Sequence, residues 1–507
     1  MKKIIIGEPI TITFDKKIEK ENPKYEILKE RGYLPYQIEA VKFFDSRNGV
    51  AINADDMGLG KTAEDIGYCI VHEKMKPILI ICPSHLKINW SREIKKWAQD
   101  ANFEIIYGTK IYTLPQKNWY IINYDILTDD KKTEKIIKKN KKTGKIKIVR
   151  ELHGWYEALQ DIPFRLIIID ECHYLGNGRA DRTIAVNNLF NKLKCKILPT
   201  SGTPIKKRPL QFFPILHMVD PLNFSSEWKY KMDFCDPVHN GFGWEFKGAS
   251  NIKRLSKLIT PIMIRRMKRD KGVLEDLPAI RRIITPLEPD VKLLKAYHNK
   301  RTKLINNCGV LTQFNFDNSY TEMRKLSYMM KMKAAKQWIT DYIETEGKLI
   351  IFAHHISAIT ELENTFSNIC VSIYGKHSTK QKMKNEDKFN NDLNCKLCIY
   401  QIQSAVGSNM TAASAVAFLE FGNSGFEHSQ AEDRIDRLGQ KAEKIFAYYF
   451  VTEGTDDLEM MTMIEHGDKI VKQILSNNNK SKFFKGQVKM FNEGLLEMYR
   501  KKRRDNL

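Results

Sequence analysis

The chain has 507 residues, enough for two or more domains that each bury a core. It carries 83 Lys and Arg against 61 Asp and Glu, a net charge of +22, which points either to a polyanion partner or to a lysine-rich coding bias. Its 9 scattered cysteines argue against a disulfide scaffold, and no apolar run approaches the ~20 residues of a membrane span. Met1-Lys2-Lys3 and the short run Ile4 to Ile6 do not make a signal peptide. An intracellular chain in a reducing compartment is expected.

Residues 1–28 read as a short strand pair or a strand and turn, then a Lys/Glu-rich segment. The apolar positions Ile38, Val41, Phe43 and Phe44 predict a helix with Gln37 just inside its start. Gln37 can read an adenine edge with its paired donor and acceptor, or face water. Next comes an apolar run (Val50 to Ile52), then Ala54-Asp55-Asp56-Met57-Gly58-Leu59-Gly60-Lys61-Thr62, then a helix from Ala63. Strand, glycine loop and helix are what a phosphate-binding loop requires. Lys61 suits β- and γ-phosphates and Thr62 suits Mg²⁺. Asp55 stands where the general pattern wants glycine.

The apolar runs at 77–83 and 119–127, with a helical pattern through Trp90, Ile94 and Trp97 between them, predict a parallel α/β sheet. Lys131 to Arg150 is lysine-dense and reads as an exposed insertion, either touching phosphates or forming a solvated hairpin. Phe164 to Ile169 is a buried strand ending in Asp170 and Glu171. Ligands of open parallel sheets bind beyond the carboxyl ends of strands, so both acids emerge beside the phosphate loop. Asp170 suits the Mg²⁺ shell, Glu171 suits the positioning of an attacking water, and His173 can relay to the next motif. That motif is Ser201-Gly202-Thr203-Pro204, a polar turn after a further strand.

Residues 205 to about 345 read as mostly helical, with a basic cluster at Ile264-Arg265-Arg266-Met267-Lys268-Arg269 that either faces DNA or ends a solvated helix. A second α/β pattern has strands at 348–353, 370–374, 396–402, 415–421 and 444–451 and lacks a phosphate loop. It carries Gln430-Ala431-Glu432-Asp433-Arg434-Ile435-Asp436-Arg437-Leu438-Gly439-Gln440. At three-residue spacing, Arg434 and Arg437 share one face of a predicted helix and can clamp a phosphate, or they belong to an ordinary salt-bridged helix. The chain from Asp456 reads as helical, ending in the basic run Arg500 to Arg504.

Taken together, Asp55 to Thr62, Asp170-Glu171-Cys172-His173, Ser201 to Pro204 and Gln430 to Gln440 resemble the Swi/Snf-type branch of superfamily-two helicases, from about Leu34 to Leu475. Ala54 to Met57, Phe352-Ala353-His354-His355 and Gln430 to Arg434 lean toward the annealing-helicase (HARP-like) or phage-encoded subgroups. In that family the glycine is also absent at the position of Asp55. The resemblance implies an α/β fold of two RecA-like parallel-sheet lobes in tandem, with helical insertions and a C-terminal helical brace. The implied division is an N-terminal extension 1–28, lobe one 29–260, a helical linker 261–345, lobe two 346–455, and a brace with a basic tail 456–507.

It implies ATP and Mg²⁺ in the cleft, and DNA-stimulated hydrolysis that drives movement on duplex DNA through backbone contacts. Lys61, Asp170, Glu171, Arg434 and Arg437 take the catalytic roles. Gln37, Asp56, Met57, Gly58, Leu59, Gly60, Thr62, Gly407 and Gln430 complete the nucleotide site, with Thr62 and Asp170 on the metal. Pro83-Ser84, Asn123-Tyr124 and Thr411 to Ala413 are implied near DNA. Departures are the lone Gly407, Gly422-Asn423-Ser424-Gly425 in place of Trp-Asn-Pro, and Asp436 in place of histidine. Two rivals share these motifs: a strand-separating or branch-migrating helicase, and an ATP-gated binding subunit with little turnover. A monomer with no membrane partner is expected, in the cytoplasm of a prokaryotic or phage-infected cell or, alternatively, in a nucleus.

Overall fold

The computed structural model describes residues 22–129, 134–139, 146–206, 208–274, 277–306, 313–404, 410–437 and 439–476. Gly407, the basic tail and the first residues of the N-terminal extension lie outside them.

The apolar runs become two parallel sheets. The first has seven strands in the order Met263–Ile264, Ile52–Asn53, Lys196–Thr200, Leu166–Asp170, Ile78–Cys82, Trp119–Asn123, Phe103–Ile105. Its central strands are buried on both faces, which explains why they read as continuous rather than alternating hydrophobic runs. Leu79, Ile81, Ile167 and Ile169 enter one core, and Ile78, Ile80, Leu166 and Ile168 enter the other. The register pairs Asn53 with Thr200 and Asp170 with Thr200. The carboxyl ends that carry the phosphate loop, the acidic pair and the Ser201 turn therefore share one edge.

The second sheet has six parallel strands in the order Ile280–Pro286, Ile445–Val451, Ala415–Phe418, Leu349–Ala353, Leu397–Gln401, Cys370–Ile373. Ile350, Phe352, Tyr400 and Phe418 face one core, and Leu349, Ile351, Ile399 and Ala417 face the other. The tandem parallel-sheet lobes expected from the sequence are thus the architecture found.

The stretch expected to be a helical linker is only partly so. Met263–Ile264 joins the first sheet and Ile280–Pro286 forms the edge of the second. Ile280, Arg282 and Ile284 alternate with more exposed neighbours, as an edge strand requires, and that half-buried alternation was masked by the surrounding basic residues. Helices Val291–Asn306 and Gln313–Thr345 follow.

Within the lysine-dense insertion, Glu134–Lys139 and Ile146–Glu151 pair as an antiparallel hairpin. Near the N-terminus, Pro23–Tyr25 and Glu26–Glu30 are helical. The last described helix, Asp457–Ser476, enters both cores. Met461 and Ile464 join lobe two, while Ile474 and Leu475 join lobe one.

Candidate active site between the two lobes

Helix Lys61–Val71 starts directly behind Gly60, two residues earlier than its apolar pattern suggests. Gly58 and Gly60 take φ of +85° and +86°, a conformation that costs other residues energy. The loop is tied down from below. Tyr36 Oη and Gln37 Nε2 each donate to Leu59 O at 3.0 Å, and Gln37 Oε1 accepts from Leu34 N at 3.0 Å. Gln37 is therefore buried under the loop, not turned to water, and both ends of its amide are engaged by the chain itself. Lys61 Nζ donates to Asp56 O at 3.1 Å, and Met57 N donates to Asp56 Oδ1 at 3.0 Å. Thr62 lies in the first turn of the helix.

The acids sit where the strand order requires. Trp90 Nε1 donates to Asp170 Oδ2 at 2.7 Å, Glu171 N donates to Oδ1 at 2.9 Å, and Tyr124 Oη donates to Asp170 O at 2.6 Å. Burial and the neighbouring Glu171 charge push the Asp170 carboxyl above its ordinary range. Glu171 occupies the left-handed region at φ 50°, a costly conformation for a non-glycine residue. Its Oε2 accepts from Ser201 Oγ at 2.8 Å and lies 3.1 Å from His173 Nδ1. Burial opposes its ionisation, but His173, Lys61 and Ser201 outweigh burial and hold Glu171 below the usual carboxylate range. Burial also lowers His173, so its contact with Glu171 has the character of a hydrogen bond more than of a full ion pair. His173 Nδ1 is also 3.1 Å from Ser201 Oγ. The expected relay from the acidic pair to the Ser201 turn is present as this triangle. A Cβ on Gly202 would lie 2.7 Å from Met57 Cγ and 3.1 Å from Met57 N, so glycine lets the turn come this close to the loop.

The arginine motif differs from its expected form. Helix Gly425–Glu432 stops at Glu432, and residues 433–437 form turns. The physical reason is lateral. Arg282 Nε donates to Glu432 Oε1 at 2.7 Å, and Tyr449 Oη donates to the same oxygen at 2.9 Å. Asp433 and Asp436 are drawn toward lobe one. Arg434 and Arg437 thus share no helix face. Even so, the stem of Arg437 packs against the glycine loop: a Cβ on Gly58 would lie 3.0 Å from Arg437 Cβ. Burial and the neighbouring Arg434 charge push the Arg437 guanidinium down to about 10. Two such cations side by side gain from an anion between them. Gln430 is buried, and its Nε2 has no hydrogen-bond partner among the described residues.

The basic cluster is neither a DNA face nor a solvated helix end. It is a strap between the two halves of the site. Arg265 Nη1 donates to Ala54 O at 2.8 Å and to Gly202 O at 3.0 Å. Arg266 N and Nε donate to the fully buried Asp55 at 2.8 and 2.9 Å, and Arg266 Nη2 lies 3.1 Å from Glu64. Lys268, itself buried, donates to the Asp433 carboxylate and lies 3.2 Å from Asp436 Oδ2. Burial disfavours its charge, but Asp433, Asp56 and Asp436 outweigh burial and raise its pKa. Arg269 Nη2 donates to Asp436 Oδ1 at 3.0 Å. The aspartates at 55 and 436, both noted as departures from a pattern, are the attachment points. Sequence reasoning missed this role. The signal available was an unmatched acid at each end of the chain and an unmatched run of cations between them.

Among the described residues no group of three or more His, Cys, Asp or Glu is arranged to hold a metal ion. None of their helices is long and apolar enough to cross a membrane.

Fold and site define a class, a protein of two tandem parallel-sheet lobes with a glycine loop on the first and an arginine motif of the second packed against it. Residues 36–341, more than half of the 507, match the model of the SNF2-related domain. The chain belongs to the SNF2-related family. It is 30% identical over 467 residues to the mouse (Mus musculus) "DNA annealing helicase and endonuclease ZRANB3", covering 89% of this chain and 41% of that protein. It is 27% identical over 457 residues to the Caenorhabditis elegans homolog of "SWI/SNF-related matrix-associated actin-dependent regulator of chromatin subfamily A-like protein 1", covering 87% and 61%. The chain therefore spans only part of the length of these relatives. The Sulfolobus solfataricus SWI2/SNF2 ATPase core in complex with dsDNA matches at 21% identity and a TM-score of 0.41, over 88% of this chain and 93% of that one.

Proposed function

We propose that this chain is a DNA-dependent ATPase that moves along duplex DNA and remodels DNA structures, by annealing strands or processing forks and recombination intermediates. The observation that carries the reading is the approach of Arg437 to Gly58, an arginine of one lobe set against the phosphate loop of the other. The names of the ZRANB3 relatives favour annealing; the endonuclease in those names is not carried over, because the chain covers 41% of the mouse protein.

In this reading Lys61 neutralises the β- and γ-phosphates, and Asp56 to Gly60 wrap them with backbone N–H groups. Glu171, ionised and aimed by Ser201 and His173, orients the attacking water. Arg434 and Arg437 stabilise charge on the transferring phosphoryl. Gln37 and Gln430 complete the nucleotide site from either lobe. The hydroxyl of Thr62 and the carboxylate of Asp170 are hard oxygen donors of the kind Mg²⁺ takes, so the donor set fits Mg²⁺. When bound there, Mg²⁺ supplies neutralisation of the phosphate charge. The strap transmits lobe closure between the loop and the arginine motif. DNA is held mainly by its backbone, near Pro83-Ser84, Asn123-Tyr124 and Thr411 to Ala413, with strong salt dependence. The division at 28, 260, 345 and 455, a monomeric state, and a cytoplasmic or nuclear location complete the proposal.

The test is ATP turnover measured without DNA and with single strands, duplex, forks and four-way junctions. Stimulation by duplex or branched DNA is expected. No stimulation by any nucleic acid would leave an ATP-gated binding subunit. Displacement of a labelled strand without annealing would favour a strand-separating helicase.

A further inference from the structure

Between Phe234 and Ser250, lobe one projects a small hairpin, Val238–His239 paired with Trp244–Glu245. Its tip presents Phe242 wholly to solvent, and Trp244 and Val238 on its arms are 44% and 57% exposed. The tip is nonetheless closed on itself. Asn240 N donates to Gly243 O at 3.0 Å, and Asn240 Oδ1 accepts from Phe242 N and Gly243 N at 3.1 and 2.9 Å. Asn240 Nδ2 donates to Glu245 Oε1 at 3.1 Å, and Gly241 N donates to His239 Nδ1 at 3.2 Å. Trp244 stands edge-on to His239 with ring centroids 5.2 Å apart. Below the hairpin, Trp228 packs edge-on against Phe246. A turn with this many internal hydrogen bonds does not need an exposed phenylalanine to hold its shape. The ring is displayed rather than buried.

The surroundings indicate what it is displayed to. The exposed apolar groups are few and sit on a narrow two-stranded finger, with Phe242 alone at its tip. A cleft of about 630 Å³ opens at the finger's base and runs to the edge of lobe two. Lys206, Arg208 and Lys247 line it, with Asp236 and Asp468 as the opposing charges and Phe426 on the far wall. Lys206 Nζ lies 5.0 Å from the Tyr174 ring and 5.1 Å from the Phe426 ring. Aromatic faces for bases beside cations for phosphates are the two parts of a single-strand binding path. The chain's net charge of +22 suits the same partner.

We propose that the 238–245 hairpin engages unpaired DNA, with Phe242 stacking on an exposed base where a duplex opens into single strands and the backbone of that strand entering the cleft beneath. This rests on the reading of the chain as a DNA motor and adds the structural feature it selects. The test uses the full chain with Phe242→Ala and Phe242→Trp, and fluorescence anisotropy on a blunt duplex, a forked duplex with oligo-dT arms, and the free oligo-dT strand, all at one salt concentration. Phe242→Ala should weaken binding of fork and single strand by about tenfold, with blunt-duplex binding and duplex-stimulated ATP turnover unchanged, and Phe242→Trp should restore it. Equal binding of the fork by wild type and Phe242→Ala would overturn the proposal. So would an equal loss on blunt duplex, which would make the hairpin part of the general backbone grip. A change in oligomeric state without a change in DNA binding would make it a protein contact and overturn it likewise. If wild-type protein binds no DNA and shows no stimulation, the motor reading itself fails. That result is separable because it appears before any substitution is made.

Discussion

The two halves of the proposed nucleotide cleft are held by different means. In lobe one the glycines of the loop are seated by their own neighbourhood, with a sheet strand before them, a helix behind them and neutral donors from Tyr36 and Gln37 beneath them, while the strap pairs charge with charge only at the loop's first residues, through Arg266 on Asp55. In lobe two the arginine motif leaves its helix at Glu432 and hangs from charges supplied by other segments: Arg282, Lys268 and Arg269. Neutral hydrogen bonds to a short, local loop preorganise it at little desolvation cost. Buried ion pairs fix geometry more reliably than they add stability. The contrast suits a site in which one half stays put while the other must be delivered to it.

The largest expected effect breaks the local half. Lys61→Ala should lower ATP turnover by at least about a thousandfold, since in the proposed mechanism it removes the charge that neutralises the transferring phosphate. Phosphate release and a thermal melt measure this together. Full turnover in a folded variant would remove the loop from the active site.

Arg266→Ala attacks the strap where it meets the loop. It leaves Asp55 fully buried beside Glu64 with its cation gone. The expected loss of stability is about 3–5 kcal/mol in denaturant unfolding. The double variant Asp55→Asn/Arg266→Met should recover most of it. If both variants lose the same amount, the pair is a surface-like contact and charge does not anchor the strap to the loop.

The delivered half is tested by Arg437→Ala. Hydrolysis should fall at least about a hundredfold while nucleotide binding is spared, because the loop proposed to grip the phosphates is untouched. Fluorescent nucleotide titration beside the turnover assay separates the two. Equal loss of binding and of folding would make Arg437 a packing residue against Gly58.

What the sequence made legible follows the same division. The loop, Asp170-Glu171 and the Ser201 turn are contiguous motifs at the ends of apolar strands, so local pattern was enough to find them. Both sheets were legible because strands buried on two faces leave unbroken apolar runs, as at Ile78–Cys82 and Leu349–Ala353. The strap was not legible. A run such as Arg265 to Arg269 reads the same whether its partners are solvent, phosphate or carboxylates more than a hundred residues away. The helix stop at Glu432 was equally hidden, since a three-residue arginine spacing suits a helix unless something off-axis pulls the chain out of it. Gln37 was found, but its engagement depends on a loop carbonyl that no spacing rule names.

The smallest expected effect concerns the floor of the preorganised half. Asp65 is buried behind the loop, where Thr200 Oγ1 donates to Oδ2 at 2.7 Å and Asn53 Nδ2 to Oδ1 at 3.1 Å. Burial pushes its carboxyl up to about 8 from an ordinary 3.8, against the pull of those hydrogen bonds. Between these two values the folded chain keeps a proton that the unfolded chain has released. Stability must therefore fall as pH rises through that window and level off above it. Glu64 and Asp170 are raised as well and slope the same way, so the quantity to measure is the difference between wild type and Asp65→Asn. The amide keeps a polar contact to Thr200 and cannot ionise. From pH 6 to 8 the variant should lose at least ~1 kcal/mol less unfolding free energy than wild type. Parallel stability curves would mean that Asp65 is already charged at pH 6, balanced by Lys61. The floor of lobe one would then be held by charge, as the loop's first residues already are by Arg266 on Asp55, and the distinction between the two halves would reduce to how far apart in sequence their partners lie.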